Sequence, residues 1–523
     1  VYPYLSDDAY DTATKQLSRK LVSDITLDGS NMVFDNKENV MVAQLAEGNL
    51  SFKHLCGFIE VKLKGTGTVK HIALRSNTRK WDALSGLAYI PLSNDLSNPK
   101  LNFSTGRDVA FNWINATCNN VQLSKSEAKS FYFIVPPRTY ENLSICVQTD
   151  KGSYAVTAKN AIEVNRAKIR PIAAIDLDAL KPATATDLSA KGIANCYIVP
   201  QGSEAKYYSF PAQKLNTTEK IANVAYAHVL WSDREQVITN VNYDAATGTI
   251  SFKYAGGNKE GNVMVSAFDT NHNSLWTWHI WCTDQPARLA IHTPNKVYAI
   301  LDRNLGATYT PATVAEASGI SLQNASDALG LYYQYGRPNP YPRANSISGG
   351  NDSSAFKGNT RIAVQYAFAA YNQHLAYSSS VYSYAEALTY PKMFYKVSYS
   401  AANGSESTYD KNGSNYTWYG KTVYHPFNDS DKLWHSENAD VVSKKSDNDP
   451  CPAGYCVDDQ ASIETYLIGK LFTAGPSKYG SYYQCSESKA VIWLPYQGFR
   501  NGGSGVVSYL TSNYNMWAVY TTS

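Results

Sequence analysis

In the run 55–63, Leu55, Gly57, Ile59, Val61 and Leu63 alternate with Cys56, Phe58, Glu60 and Lys62. A period of two sends successive side chains to opposite faces, so this run is a strand with one buried face, and a helix cannot satisfy it. The strand reads as starting near Leu50, and Gly65-Thr66-Gly67 then turns the chain into 69–74, which predicts a hairpin. Further strands are expected at 131–135, stopped by Pro136-Pro137, at 143–148, and at 153–157 after a turn at Asp150-Lys151-Gly152. Short strands with turn residues at this spacing point to an all-β sandwich.

At 523 residues the chain exceeds what one hydrophobic core supports. Three regions are expected: a β-sandwich over 1–172, a second β-sandwich over 187–290, and a third region over 291–523, with a linker at 173–186. The second carries seven candidate strands (194–199, 207–210, 229–231, 237–242, 249–254, 262–268 and 274–282). Hairpin turns are expected at 244–248 and 269–273. Seven strands in about 100 residues fit an immunoglobulin-like or transthyretin-like sandwich. The strand Leu275-Trp276-Thr277-Trp278-His279-Ile280-Trp281 places Trp276, Trp278 and Ile280 on one face and Thr277, His279 and Trp281 on the other. One Trp face is expected in the core and the other beneath the next region, with His279 a buried structural histidine.

The third region changes character. Helices are expected at 313–328 and near 462–472, while 345–445 is rich in Ser, Asn, Gly and Tyr with few aliphatics. Such a stretch cannot build a core alone and must drape over one as long loops. Tyr supplies 40 residues, 26 of them after position 300, a composition suited to recognition by stacking and hydroxyl hydrogen bonds. Charged residues are 17% with a net charge of +3 and no basic cluster, so no nucleic-acid partner is expected. No apolar run reaches the roughly 18 residues that would read as a membrane-spanning helix. The sequence starts at Val1 with no signal peptide or initiator Met in view, as a mature, trimmed or incomplete product would.

Of the eight cysteines, Cys56, Cys146 and Cys282 fall in apolar strand patterns and read as buried small hydrophobes, while Cys451, Cys456 and Cys485 could include one disulfide. His54 and His71 read as neighbours on paired strands, which without a third ligand is no metal site. Asn428-Asp429-Ser430-Asp431 supplies half of a calcium loop and lacks the rest of the pattern. No metal and no cofactor is expected. No nucleophile elbow, P-loop, dinucleotide fingerprint or His-Glu-x-x-His is present, so no catalytic residue is assigned.

Four separated motifs occur in order: Asp302-Arg303-Asn304-Leu305-Gly306-Ala307; Gly330-Leu331-Tyr332-Tyr333-Gln334-Tyr335-Gly336-Arg337; Asn448-Asp449-Pro450-Cys451-Pro452-Ala453-Gly454-Tyr455; and Trp493-Leu494-Pro495. The set resembles the FISUMP domain, a C-type-lectin-like module of bacterial surface proteins. Upstream, the run 48–65, the strand ending in Val135-Pro136-Pro137 and the exit 161–172 resemble the N-terminal domain of fimbrillins, the subunits of type V pili. The sequence departs from the two families at three points. Fimbrillins carry a lipoprotein signal and an early strand ahead of their pattern, and neither is visible here. The Val-Pro-Thr stretch that usually follows the third motif is replaced by Cys456-Val457-Asp458-Asp459, and the closing strand with its cysteine is not found. Cys451 then lacks its usual partner, for which Cys456 or Cys485 would substitute.

The resemblance implies two β-sandwiches presenting an α+β, C-type-lectin-like head on a mainly β chain. It implies a cell-surface adhesin at a pilus tip, exported across the outer membrane. Its partners would be other pilus subunits, joined by β-strand addition, and a glycan or a host or bacterial surface protein. Membrane attachment would come only through an N-terminal lipid anchor or precursor. Asp302, Arg303, Asn304, Gly306 and Cys451 are expected to be structural, with Asp302 and Arg303 forming a bidentate pair and Gly306 permitting a tight turn. Ligand contacts are expected from Tyr399, Asn415, Tyr416, Trp418, Tyr419 and Tyr424, with Tyr395 and Asn428 as further candidates, because aromatic faces stack on sugar C–H surfaces. Two competing expectations are a structural pilus component whose head is a spacer, and a carbohydrate-processing enzyme. The latter requires two carboxylates about 5–10 Å apart in a cleft.

Overall fold

The computed structural model describes residues 9–27, 39–76, 82–92, 96–103, 110–182, 184–292, 297–333, 336–344 and 445–457, together with shorter pieces, mainly strands, between 376 and 521. The chain is mainly β, with a few short helices. Its contacts gather into two compact units. The first holds 1–184 and 239–252, the second 185–238 and most of 253–523.

In the first unit the alternating run is broken at Leu55-Cys56. It gives an exposed strand β1 (Asn49–His54), paired with Met41–Ala46, and β2 (Gly57–Lys64), in which every second residue is buried. There follow β3 (Thr68–Ser76), β4 (Trp113–Gln122), β5 (Lys129–Val135), β6 (Leu143–Thr149) and β7 (Gly152–Thr157). The hairpin expected across Gly65-Thr66-Gly67 does not form. β2 pairs with β5, with Ile59 opposite Phe133 and Val61 opposite Phe131, whereas β3 pairs with β4 and β6 in another sheet. Gly65 and Gly67, at φ +134° and +106°, carry the chain from one sheet to the next.

The physical reason is burial. Ile59, Val61, Leu63, Phe131 and Phe133 meet Ile72, Leu74, Ile114 and Ile145 in one core, which two stacked sheets can close and a single hairpin cannot. The same separation corrects the pairing expected of the histidines. His54 ends β1 and bonds through Nδ1 to Asn39 Oδ1 at 3.0 Å, while His71 lies within β3, 3.4 Å from Thr117 Oγ1.

The turn at 150–152 does close a hairpin between β6 and β7. Gly152 also sets the close approach of residues 239–252, since Gly152 and Ser153 pair with Asp244 and Tyr243. A Cβ on Gly152 would lie 1.8 Å from the Tyr243 carbonyl oxygen, a distance no side chain tolerates.

All seven strands expected between 194 and 282 are present. In the second unit β8 (Cys196–Pro200), β9 (Tyr226–Ser232), β10 (Gly261–Phe268) and β11 (Ser274–Thr283) form one sheet in the order β8-β11-β10-β9, with β8 parallel to β11. On β11, Trp278 packs on Phe210 with ring centroids 5.2 Å apart. Trp281, on the opposite face, is covered by Leu301, Leu305, Cys451 and Val457. The residues after 290 therefore supply the second wall of this sheet.

The single helix expected over 313–328 is two short ones, α1 (Val314–Ser318) and α2 (Leu322–Asp327). Gly319 closes the first, and Ser321 caps the second by accepting from the Asn324 amide, so the helical pattern is interrupted between them. Of the other expected helix, 462–471 lies outside the described residues and Phe472 opens a strand, Phe472–Ser477.

Candidate functional site

The Asp302-Arg303 motif is half of an ionic knot on the sheet. Arg303 Nε donates to Asp302 Oδ1 at 2.8 Å and Nη2 to Oδ2 at 2.9 Å, while Nη1 reaches Thr283 Oγ1, at the end of β11, and Asp284 Oδ1 just after it. Burial works against the charge on Arg303, but the bonds to Asp302 and Asp284 outweigh it and hold the guanidinium above its ordinary pKa. Asp302 Oδ2 also accepts from the Ala287 amide at 3.1 Å. Four residues on, Gly306 at φ +83° brings its backbone against β10, and a Cβ there would strike Leu331 at 2.4 Å and Asn262 Oδ1 at 3.0 Å. Trp281 Nε1 donates to the Ala307 carbonyl at 3.1 Å.

Asn262, fully buried in β10, is the hub. Its Nδ2 donates to Asp233 Oδ2 at 2.8 Å and to the Gly306 carbonyl at 2.9 Å, so both amide hydrogens are committed and Oδ1 is an acceptor. His279 Nε2, 2.9 Å from that oxygen, must therefore carry the proton, which leaves Nδ1 bare to accept from Cys196 Sγ at 3.3 Å. Asp233 Oδ1 accepts from the Asn262 amide at 2.6 Å. Behind it stands Arg343, fully buried, with Nε 3.6 Å from Asp233 Oδ2 and Nη2 3.6 Å from Asp327 Oδ1. Arg343 Nη1 donates to the Asp327 carbonyl at 2.8 Å, and Arg234 Nη2 donates to Asp327 Oδ1 at 2.9 Å.

Cys196, His279 and Asn262 thus stand in the order of a thiol nucleophile, its base and the base's orienting amide. The electrostatics oppose that chemistry. With both side chains completely buried, desolvation pushes the Cys196 thiol far above its usual range and His279 down to about 3. At neutral pH the thiol stays protonated and the imidazole neutral, and neither faces solvent. The trio ties β8, β10 and β11 to the 302–307 turn.

The third motif is clamped in the same way. Asn195 Nδ2 donates to the carbonyls of Asp447 and Asp449, both at 2.8 Å, while its Oδ1 accepts from Trp276 Nε1 at 2.9 Å. Asp449, fully buried, accepts from the amides of Cys451 (2.7 Å) and Val457 (2.9 Å). Lys445 Nζ donates to the carbonyls of Cys451 and Pro452 at 2.6 and 2.8 Å. Cys451 is fully buried against Trp281 and Leu305.

Between the two arginine clusters sits Glu260. Burial raises its carboxyl pKa, as do the nearby charges of Asp284 and Asp327, against a smaller pull downward from Arg303 and Arg234. An acid whose folded pKa is raised is stabilising only while protonated, so its ionisation costs stability as pH rises through that value. Glu260→Gln is expected to raise the melting midpoint of the second unit by about 1–2 °C at pH 8 and to change nothing at pH 4, the effect being small because the group is only partly buried. Calorimetry at the two pH values checks it; a loss at pH 8 would contradict the assignment.

Of the expected ligand residues, Asn415 and Tyr416 lie on the strand β12 (Ser414–Tyr416) and Tyr424 on β13 (Thr422–Tyr424). The two strands pair antiparallel, with Tyr424 opposite Ser414 and Tyr416 opposite Thr422. Tyr395 ends another strand, Met393–Tyr395. Tyr399, Trp418, Tyr419 and Asn428, with the acidic run that follows it, lie outside the described residues. Among the described residues no group of three or more His, Cys, Asp or Glu side chains could hold a metal ion, and no helix is long and apolar enough to cross a membrane.

Sequence reasoning missed Asn195, Asp233, Asn262 and Arg343. The available signal was polar residues inside strand runs otherwise apolar, as Asn262 is in Gly261–Phe268, where all eight residues are buried. No family model matches this sequence, and no curated protein matches it.

Proposed function

We propose that the chain is a cell-surface adhesin, a pilus-tip subunit in which two β-sandwiches of the transthyretin or immunoglobulin kind, over 1–172 and 187–290, hold out a lectin-like head over 291–523. The observation that carries this reading is the buried lock through Asn262, Arg303, Arg343 and Asp449. It fixes both ends of the Tyr-, Ser- and Asn-rich region, 302–343 and 445–457, against one sheet. A recognition surface made of loops needs such a rigid base, because ordering the loops at the moment of binding would cost affinity.

In this reading the head binds a glycan or a surface protein, and Trp418 with Tyr399, Tyr416, Tyr419, Tyr424 and Asn415 makes the contacts. Neighbouring pilus subunits join through β-strand addition at the first sandwich. The chain works outside the cell, without catalysis or cofactor.

The test is a glycan array probed with the full chain, with and without EDTA, together with binding to intact host and bacterial cells. Reproducible hits are expected, and Trp418→Ala should weaken them about tenfold or more, the loss of one stacking contact. Hits indifferent to that change would move the site elsewhere in the head. A blank array together with no cell binding would overturn the adhesin reading in favour of a spacer head.

A further inference from the structure

We propose that strand β1 (Asn49–His54) is a self-association edge, at which two copies of this chain pair antiparallel about a two-fold axis through Ser51. The strand is one side of a finger. It pairs with Met41–Ala46 in an unbroken register and, among the described residues, with no other strand. The two residues that join the pair, Glu47 and Gly48, both take positive φ, +50° and +82°, as a tight hairpin turn requires. The finger is held at its base. Leu55 donates its amide to the Val40 carbonyl at 3.0 Å, and Val40, Val42, Leu55 and Cys56 pack in one apolar cluster with Leu17, Leu21 and Ile90.

Beyond that base β1 is bare. The five residues from Asn49 to Lys53 are all exposed, Leu50 and Phe52 at 40% and 41%. Alternation puts Leu50 and Phe52 on one face and Asn49, Ser51 and Lys53 on the other. Proteins keep strand edges single with prolines, bulges and several charges. This edge has one lysine, no proline and no bulge.

The occupant is read from the strand itself. Opposite residues of an antiparallel pair share a face, so a copy that keeps the apolar faces together must meet β1 in one of a few registers. Centred on Ser51, Leu50 stands opposite the partner's Phe52 and Phe52 opposite the partner's Leu50, so each exposed apolar side chain is covered by another. Lys53 then stands opposite the partner's Asn49, with the partner's Glu47 diagonal to it and within reach of a long side chain. The two fingers are therefore complementary in charge as well as in apolar pattern. Centring the pair on Phe52 instead sets Leu50 against His54 and moves Glu47 out of reach of Lys53.

The pairing is isologous. Both copies use the same edge, so assembly closes at two and cannot grow into a filament, unlike strand addition between successive subunits. It does not depend on the adhesin reading.

The full chain is expected to sediment as a reversible mixture of monomer and dimer, with the dimer fraction rising with concentration. Phe52→Glu is expected to lower the association constant about tenfold or more, because it puts a carboxylate into the apolar row of each copy. Lys53→Glu and Glu47→Lys should each weaken association several-fold, and the double variant should recover it. Register is read by cysteine scanning, since the eight native cysteines are all buried and an introduced surface thiol is the one open to mild oxidation. Ser51→Cys, on the axis, is expected to give a disulfide-linked dimer, because directly opposite residues have Cα atoms about 4.5–5.5 Å apart. Asn49→Cys and Lys53→Cys, each about 13 Å from its own copy across the axis, should stay as thiols. A parent chain that is monomeric at every concentration overturns the proposal, whatever the variants do. So does a dimer indifferent to Phe52→Glu, or equal cross-linking at all three positions.

Discussion

Replacing His279 with Gln is expected to flatten the acid limb of the stability curve of the second unit. His279 is completely buried, and its imidazole, held down to about 3 in place of the usual 6.5, stays neutral in the folded chain across the whole mildly acidic range. In the unfolded chain the same imidazole takes up a proton below 6.5. The unfolded state then binds more protons, so the contribution is fully present above 6.5 and is lost as pH falls toward 3, at up to about 1.4 kcal/mol per pH unit. The whole loss amounts to a few kcal/mol, a large part of a domain's net stability.

Gln keeps an amide N–H for Asn262 Oδ1 but cannot titrate. The variant is expected to be less stable than the parent at pH 7, from lost packing beside Trp281, and to converge on it or surpass it near pH 4. Denaturant midpoints measured at half-unit steps from pH 7 to pH 4 read the difference in slope directly. Two parallel curves would mean that His279 titrates normally in the folded chain and would refute the buried-relay geometry.

A larger loss at neutral pH is expected from Asp233→Leu. The change deletes the acceptor of the Asn262 amide and side-chain N–H groups, 2.6 and 2.8 Å away, and strips Arg343 of one of its two carboxylate neighbours in a fully buried site. Removing one partner from a buried pair leaves an uncompensated charge and costs about 3–5 kcal/mol. Because Gly306 is held through Asn262, the damage should extend to the 302–307 turn as well as β10. Amide hydrogen exchange is expected to rise by two or more orders of magnitude at residues 262 and 305–308 and to stay unchanged in β6 of the first unit. The double variant Asp233→Leu/Arg343→Met should recover part of the loss, since both charges are then gone. A denaturant midpoint unmoved by the single change would show that the pair, at 3.6 Å, does not hold the segment.

The alternating run at 55–63 and the turn residues at 150–152, 244–248 and 269–273 were enough to read strands and most of their boundaries, because period and turn chemistry are local properties. The Asp302-Arg303 pair was legible for the same reason: the partners are neighbours in sequence, and a guanidinium beside a carboxylate has one good geometry. Nothing local distinguishes a hairpin at Gly65-Thr66-Gly67 from a crossing between sheets, since both use the same glycines; what chose was the shared core of Ile59, Phe131, Ile72 and Ile145. Nor could composition divide 313–328 at Gly319-Ile320-Ser321, where a capping serine outcompetes helix continuation.

The sequence by itself determined that this chain is mainly β, where most of its described strands run, and which short motifs flank the Tyr-, Ser- and Asn-rich region. Tertiary structure alone decided which sheet each strand joins and that residues 239–252 belong with the first unit. It also decided that Asn195, Asp233, Asn262, His279 and Arg343, drawn from positions as far apart as 195 and 343, share one buried polar network. The physical reason is that strand propensity is set within a few residues. A buried amide or charge is satisfied only by whichever distant groups the packing of apolar faces happens to bring within about 3 Å.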